Sequence, residues 1–432
     1  MNVHESDQIA ALMLQNGYVR TDNPRRADLI IVNTCTIREK AAQKAMSQLG
    51  RFRELKRKNP GLIVGVGGCL AQQLGQVMLK KFPHLSLVFG THSIDRIPAL
   101  VRSVEATGAR FVDTAFRESI VSLGILAFPE NGHPSAYVTI MQGCNNFCSY
   151  CVVPYVRGRE VSRKCEDILT EIKALADRGI KEVVLLGQNV NSYGKTMNEE
   201  CDFANLVTKI GKINGIERIR FTTSHPKDLS GELIRCFSNV KTLCEHIHLP
   251  VQSGSDKILR RMNRKYGREI YMEKVRDLRS ACPEISITSD VIVGFPGETD
   301  RDFQETIDLM EKIRFDNAYS FLYSERAGTA AMKLDQKVDV CIKRERLHYL
   351  QSLQERHTLE KNRTLIGKRQ EVLIEGPSKN CQQDATGRTR SNKIVNFEGG
   401  IEKKGCMVSV RIKDAYLHSL RGELSQEEVN PC

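Results

Sequence analysis

The chain has 432 residues, 41% hydrophobic and 27% charged, with 64 Lys and Arg against 52 Asp and Glu. That length allows two or three domains and a large core, and the balance excludes a disordered or fibrous chain. No apolar run approaches the ~20 residues that span a bilayer, which excludes a helical membrane protein.

Met1–Asp7 lacks the basic and apolar stretches of a signal peptide, so a cytoplasmic protein with reduced thiols and no membrane partner is expected. A net charge of +12 favours a polyanionic partner, RNA first, over a mere solubility preference.

Residues 1–116 alternate helical and strand patterns. Ser6–Asn16 has helical spacing and ends at Gly17, a C-cap signal. Ala27–Asn33 is a short β-rich run, Ala41–Lys58 a charged amphipathic helix stopped by Pro60, and Leu62–Val66 a buried-strand pattern. Such alternation predicts an open parallel α/β sheet, whose ligands bind at the carboxyl ends of the strands. Cys35 and Cys69 follow the two strands at equivalent positions. They could converge on one metal centre, or be two buried cysteines near helix starts.

Residues 133–362 open on Gly143-Cys144-Asn145-Asn146-Phe147-Cys148-Ser149-Tyr150-Cys151. The C-x3-C-x2-C spacing suits an iron–sulfur cluster. Structural zinc would show a second Cys or Cys/His pair, and a disulfide needs an oxidising compartment. Three thiolates leave one iron of a four-iron cube open. The runs Tyr137–Met141, Glu182–Leu186, Ile219–Thr222, His246–Leu249, Ser286–Val293 and Asn317–Leu322 read as strands alternating with helices. They predict a complete or partial (β/α) barrel with its chemistry at the C-terminal rim. Leu186–Gly194, Thr222–Pro226, Leu249–Ser255 and Val293–Thr299 all follow strands, in phase with the cysteine loop, which indicates one pocket. Asp339–Asn362 is expected to be an exposed, charge-laced helix.

Residues 363–428 contain the strand patterns Gln370–Glu375, Ile394–Phe397 and Met407–Asp414 between Gly-rich turns, suggesting a small β-barrel. Between Arg363 and Arg421 there are twelve Lys and Arg against six Asp and Glu. Arg388, Arg390 and Lys393 concentrate that charge and are predicted to contact phosphate.

The triplet, with aromatic Tyr150 before its last cysteine and Tyr137–Gln142 and Val152–Arg163 around it, resembles the radical S-adenosylmethionine (SAM) methylthiotransferases. The resemblance covers nearly the whole chain, and the third block resembles a TRAM domain. It implies an α/β multidomain protein: an N-terminal open parallel sheet, a central partial radical SAM barrel and a C-terminal TRAM β-barrel. It also implies a four-iron cluster on Cys144, Cys148 and Cys151 that binds SAM and cleaves it by one electron to a 5′-deoxyadenosyl radical. A second four-iron cluster in the first domain would use Cys35 and Cys69. The family's third ligand lies in a first strand ending Cys-Gln-Met-Asn, whereas this chain begins Met1-Asn2, and a start placed too late is expected.

By the same resemblance, Tyr150 packs near the adenine, and Gly187, Gln188 and Asn189 contact the methionine end. Ser224, His225, Gln252, Gly294, Pro296, Gly297 and Glu298 line the remainder, and Arg163 is matched to the carboxylate. The expected partners are tRNA and an electron donor of flavodoxin or ferredoxin type, with the sulfur donor unassigned and the protein a monomer. The basic third block favours RNA over a basic protein substrate. The implied reaction is methylthiolation of N6-isopentenyladenosine at tRNA position 37. The alternatives are threonylcarbamoyladenosine at that position, or a single-cluster protein that transfers no sulfur.

Overall fold

In a computed structural model the residues described are 1–36, 39–117, 128–129, 132–197, 201–379 and 381–425. The chain divides into two compact units. The first comprises Met1–Phe128, Met141–Asn145 and Val152–Arg163, and the second Pro129–Ile140, Asn146–Cys151 and Lys164–Cys432.

In the first unit the order is α1 (Asn2–Gln15), β1 (Leu29–Thr34), α2 (Glu39–Lys58), β2 (Ile63–Gly68), α3 (Cys69–Leu74), α4 (Gln76–Lys81), β3 (Leu87–Phe89), α5 (Ile97–Thr107) and β4 (Phe111–Asp113). The strands form a parallel sheet in the order β1-β2-β3-β4. Alternate strand residues serve opposite faces, as the period of two requires. Val64, Val66 and Val88 pack with Leu49, Phe52 and Met78 of α2 and α4, whereas Ile63, Leu87 and Phe89 pack with Ile9, Met13, Ile97 and Val101 of α1 and α5. Both faces are therefore covered, and β2 is buried throughout. The strand patterns of β1 and β2 were readable from sequence. The three-residue β3 and β4 are too short to show a period.

The next strand, β5 (Ser135–Thr139), belongs to the second unit. Two short segments then return to the first: the antiparallel ribbon β6 (Met141–Gln142) and β7 (Val161–Ser162), with helix α6 (Val153–Arg157) between them.

The second unit continues with α7 (Cys165–Ala176), β8 (Glu182–Leu186), α8 (Phe203–Ile210), β9 (Arg218–Phe221), α9 (Gly231–Asn239), β10 (His246–His248), α10 (Asp256–Arg261), α11 (Arg268–Ala281), β11 (Ser286–Val293), α12 (Asp300–Ile313), β12 (Asn317–Leu322) and α13 (Val340–Arg363). Strands β5-β8-β9 and β10-β11-β12 form two parallel sheets, joined by a parallel bridge between Ile219 and Leu243. The result is a six-stranded partial barrel with helices outside, and five of its six strands begin within a residue of the sequence-predicted runs.

Helix α13 differs from its expectation. One face is exposed, but Arg346, Leu350, Leu353, Gln354, His357, Thr358 and Asn362 are buried. The charge run hid this face because its buried members are largely polar. Arg346 is held by Glu298 (2.7 Å) and Asp300 (2.6 Å), and Gln354 donates to the Phe315 carbonyl (3.0 Å).

Strands β13 (Arg369–Pro377), β14 (Asp384–Thr389), β15 (Ile394–Glu398), β16 (Met407–Ala415) and β17 (Leu420–Leu424) close a barrel in the order β13-β14-β15-β17-β16. Val372, Ile374, Val395, Phe397, Val408, Val410 and Ile412 fill it. The polar, glycine-containing β14 was read as part of a turn region. Closure of the barrel makes it a strand by giving it a partner on each side.

Candidate functional site

Chain geometry brings the cysteines of the first unit to equivalent places. β1 and β2 pair in register, with Thr34 opposite Gly68, so Cys35 and Cys69 are the next residues on adjacent strands. Gly68 has φ 86°, and a Cβ there would stand 2.4 Å from Asn33 Oδ1 and the Thr34 carbonyl, so only glycine lets the chain turn into α3 at that point. Cys69 is buried and packs against Val152 and Val156.

Arg157 Nε donates to Cys69 Sγ at 3.3 Å, and its Nη1 donates to Glu5 Oε1 at 2.5 Å. Burial pushes the Cys69 thiol up, and the guanidinium partly offsets this. Burial alone would raise Glu5 too, but Arg157 outweighs it and the carboxyl lies below its usual range. Cys144 is also in this unit, its N–H donating to the Gly158 carbonyl at 3.2 Å. A Cβ on Gly143 would meet the Arg159 carbonyl at 2.0 Å, so the cysteine loop begins at a point only glycine can occupy. Arg163 lies half-buried just after β7.

Cys148, Tyr150 and Cys151 belong to the second unit. Their loop has a left-handed turn at Phe147, φ 46°, and is pinned to residues 261–264. Ser149 N donates to the Met262 carbonyl (3.0 Å), Ser149 Oγ to the Arg261 carbonyl (2.8 Å), and Asn263 Nδ2 to the Phe147 carbonyl (2.9 Å). Tyr150 is half-buried against a cluster of Ile258, Met262, Phe295 and Tyr323. Arg264, which the sequence reading missed, donates through Nη1 to Cys148 Sγ at 3.4 Å. A lone arginine in an ordinary helix-to-loop sequence carries no signal of that contact.

The strand-end loops supply buried polar groups in the same unit. Asn189 Nδ2 donates to Asp228 Oδ2 (2.7 Å), and Asp228 also pairs with Lys195 (2.6 Å), two further residues that sequence reading passed over. His225 Nδ1 accepts from Lys227 N (3.2 Å), which leaves the ring proton on Nε2. Burial, with Arg264 and Lys227 adding to it, lowers the His225 pKa to about 2, so the ring is neutral. Gln252 sits at φ 73°, its N–H bonded to the Asp290 carbonyl. Gly187, Gln188, Gly294, Pro296 and Gly297 lie in the strand-end loops as expected, whereas Glu298 has an internal task. Its Oε1 accepts from Gly294 N (2.9 Å) and from Arg346 (2.7 Å), which shapes the loop.

Asn189 Oδ1, both amide atoms of Asn191, Ser224 Oγ and His225 Nε2 are buried with no hydrogen-bond partner. Such atoms in native proteins are satisfied by ordered water or by a polar ligand. The set fits a small cofactor rich in donors and acceptors, such as SAM. The thiol donors of Cys144, Cys148 and Cys151 suit iron and sulfide, with a buried guanidinium beside one of them. Among the described residues no three His, Cys, Asp or Glu side chains are already drawn together around a point.

The three predicted phosphate-binding cations have internal partners. Arg390 forks onto Glu245 (2.8 and 3.0 Å) and the Lys241 and Leu243 carbonyls. Arg388 pairs with Glu375 at 3.0 Å, and Lys393 donates to Asn362 Oδ1 at 2.8 Å beside Asp316. Arg218 and Arg220, buried in β9, donate back to the carbonyls of Arg388, Thr389 and Arg390. The basic turn thus fastens the small barrel to the partial barrel, and Arg390 and Lys393 serve as anchors.

Comparison with known proteins agrees with this anatomy. Residues 138–310 match the Radical SAM superfamily, 1–90 the Uncharacterized protein family UPF0004, and 363–425 the TRAM domain. The chain is 62% identical to the tRNA-2-methylthio-N(6)-dimethylallyladenosine synthase of Syntrophus aciditrophicus, over 99% of this chain and 93% of that protein. It is 51% identical to the enzyme of the same name from Geobacter sulfurreducens, over 98% and 95%. A solved radical SAM methyltransferase, TsrM from Kitasatospora setae, shares the fold with a TM-score of 0.58 at 15% identity, over 76% of this chain and 73% of that one. A four-iron cluster and SAM accompany this superfamily, and the three-thiol loop is where this chain would hold them. With its three domains and its likeness to these enzymes along nearly its whole length, the chain belongs to the family of radical SAM methylthiotransferases named tRNA-2-methylthio-N(6)-dimethylallyladenosine synthases.

Proposed function

We propose that the protein adds a methylthio group to C2 of N6-isopentenyladenosine at position 37 of tRNA. The observation that carries this reading is the 62% identity to a synthase of that name over 99% of the chain.

Bound cluster and SAM supply one-electron cleavage of a sulfonium bond, which reaches an aromatic C–H that is neither acidic nor electrophilic. The protein's own part is to hold and screen. Cys144, Cys148 and Cys151 ligate the cluster, and Tyr150 offers an apolar wall for the adenine. Asn189, Ser224 and neutral His225 present unpartnered polar atoms to SAM, with Gln188 and Gln252 completing its contacts in that unit. A neutral His225 donates through Nε2 without adding charge beside a cationic sulfonium. Gly187, Gly294, Pro296 and Gly297 shape the rim, with Glu298 bracing it.

Cys35 and Cys69 belong to a second four-iron cluster in the first domain, supported by their in-register placement at the ends of β1 and β2. RNA contact falls to the exposed side of the small barrel. Arg369 and Arg411 face one another across β13 and β16, both exposed. Exposed Arg411 on β16 offers a cation to phosphate there. The domains divide at 1–116, 133–362 and 363–428. The protein works as a cytoplasmic monomer with a flavodoxin- or ferredoxin-type donor; no described helix is long and apolar enough to cross a membrane.

Nucleoside mass spectrometry of tRNA from a deletion strain tests the assignment. Loss of the 2-methylthio group with N6-isopentenyladenosine accumulating, and restoration by the gene, is expected. Accumulation of unmodified threonylcarbamoyladenosine instead would move the substrate to the other branch. An unchanged profile refutes both.

A further inference from the structure

We propose that Arg264 is the counter-cation of the cluster ligand Cys148 and a positioning residue that raises the reduction potential of the cluster. The proposal rests on reading the cysteine triplet as a cluster site.

Arg264 is 6% exposed. Its Nε donates to Tyr266 Oη (2.9 Å), its Nη2 to the Pro250 carbonyl (2.8 Å), and its Nη1 to Cys148 Sγ (3.4 Å), with Tyr150 Oη at 3.5 Å. Tyr266 Oη is itself held by donating to the Val251 carbonyl at 2.9 Å, and its ring lies 5.1 Å from the guanidinium carbon. Besides Cys148, the group is thus held by neutral acceptors alone, a carbonyl and two tyrosine hydroxyls.

The other buried arginines are balanced by carboxylates: Arg157 by Glu5, Arg218 by Glu371, Arg220 by Glu182, and Arg346 by Glu298 and Asp300. Among the described residues no carboxylate stands within ion-pair reach of Arg264. A buried charge without an opposite charge is strongly disfavoured, and the guanidinium cannot shed its proton. Among the described residues the counter-charge within its reach lies at Cys148 Sγ, over which the negative charge of a bound cluster would spread.

This pairing has a redox consequence. Taking up one electron adds one negative charge to the cluster and changes no bond to Arg264. A fixed cation donating N–H to a ligand sulfur stabilises the reduced form more than the oxidised one, which makes the cluster easier to reduce. The loop carrying the sulfur is pinned to the segment carrying the arginine through Ser149 and Asn263, which holds the two groups at this distance.

The test uses the full-length chain, anaerobically reconstituted, with Cys35→Ala and Cys69→Ala so that only the triplet reports. Iron, sulfide and an EPR-monitored reductive titration are measured for this parent and for Arg264→Gln and Arg264→Lys. Arg264→Gln is expected to keep its iron but shift its midpoint to more negative potential. Its SAM cleavage with dithionite should fall and then recover with the stronger reductant titanium(III) citrate. Arg264→Lys, which keeps the charge, should titrate close to the parent. A glutamine variant that reduces at the parent potential overturns the proposal. Should the glutamine variant fail to hold iron, lysine decides: a parental midpoint supports the charge pairing, and a lost cluster or a midpoint displaced to more negative potential overturns it. A parent with no iron instead sinks the reading of the triplet itself, and the proposal with it.

Discussion

Two cysteines, one in each unit, receive an N–H from a buried arginine, and the two arginines are balanced in opposite ways. In the first unit Arg157 reaches Cys69 at 3.3 Å while Glu5 holds its other side at 2.5 Å. The pair is neutral before sulfur is counted, so Cys69 sees an oriented donor rather than a net charge. In the second unit Arg264 reaches Cys148 at 3.4 Å and its other partners are a carbonyl and hydroxyls. There the full positive charge is left for sulfur. Similar distances therefore conceal different electrostatics: one arginine is part of a structural ion pair, and the other needs its cysteine, or what the cysteine holds, as counter-ion.

The sharpest way to break this contrast is to remove the sulfur of the second unit. Cys148→Ala should lose the triplet's cluster, about four irons per chain, and take 5′-deoxyadenosine formation to background, as measured by iron analysis and chromatography. Next in size is removal of the carboxylate in the first. Glu5→Ala strands a buried guanidinium and should destabilise the first unit by about 3–5 kcal/mol, read as a lower midpoint in chemical denaturation. If Glu5→Ala costs nothing, Arg157 does not depend on Glu5 and the contrast disappears.

Acid tests both regions at once. Burial lowers His4 in the first unit to about 4 and His225 in the second to about 2. Both rings stay neutral in the folded protein while the unfolded chain takes up protons below about 6.5. The unfolded state then binds more protons, so stability is full above that pH and falls as the pH drops through the window down to each folded value. At pH 5 the loss is on the order of 2 kcal/mol for each ring, measurable as a falling unfolding midpoint between pH 7 and 5. His4→Gln should remove the part belonging to the first unit and leave the rest.

The smallest effect concerns the exposed cations against the anchored ones. Arg411→Ala should lower the salt dependence of tRNA binding by about one in slope and leave folding intact. Arg390→Ala should instead loosen the small barrel, seen as faster amide exchange in β14. Equal effects of the two substitutions on RNA affinity alone would show that Arg390 is no anchor.

Much of this was legible in the chain itself. Periodicity revealed β1, β2, β8, β11 and β12, because long buried strands need consecutive or alternating apolar residues wherever they pack. The C-x3-C-x2-C loop and the rim loops after each strand were visible for the same reason: local spacing limits which side chains can share a site. Short β3 and β4 and polar β14 were not, since their conformation is imposed by neighbours rather than by their own residues.

What sequence alone determined here is local: which stretches can be strands, where the turns fall, and which thiols lie close along the chain. Which charges meet is another matter. Arg264 and Cys148 are 116 positions apart, Arg157 and Glu5 152, and Arg390 and Glu245 145. An arginine carries the same charge wherever it stands in the chain. Only folding decides whether its burial is balanced by a carboxylate, a carbonyl or a cysteine, because that balance depends on distances in space that no local pattern encodes.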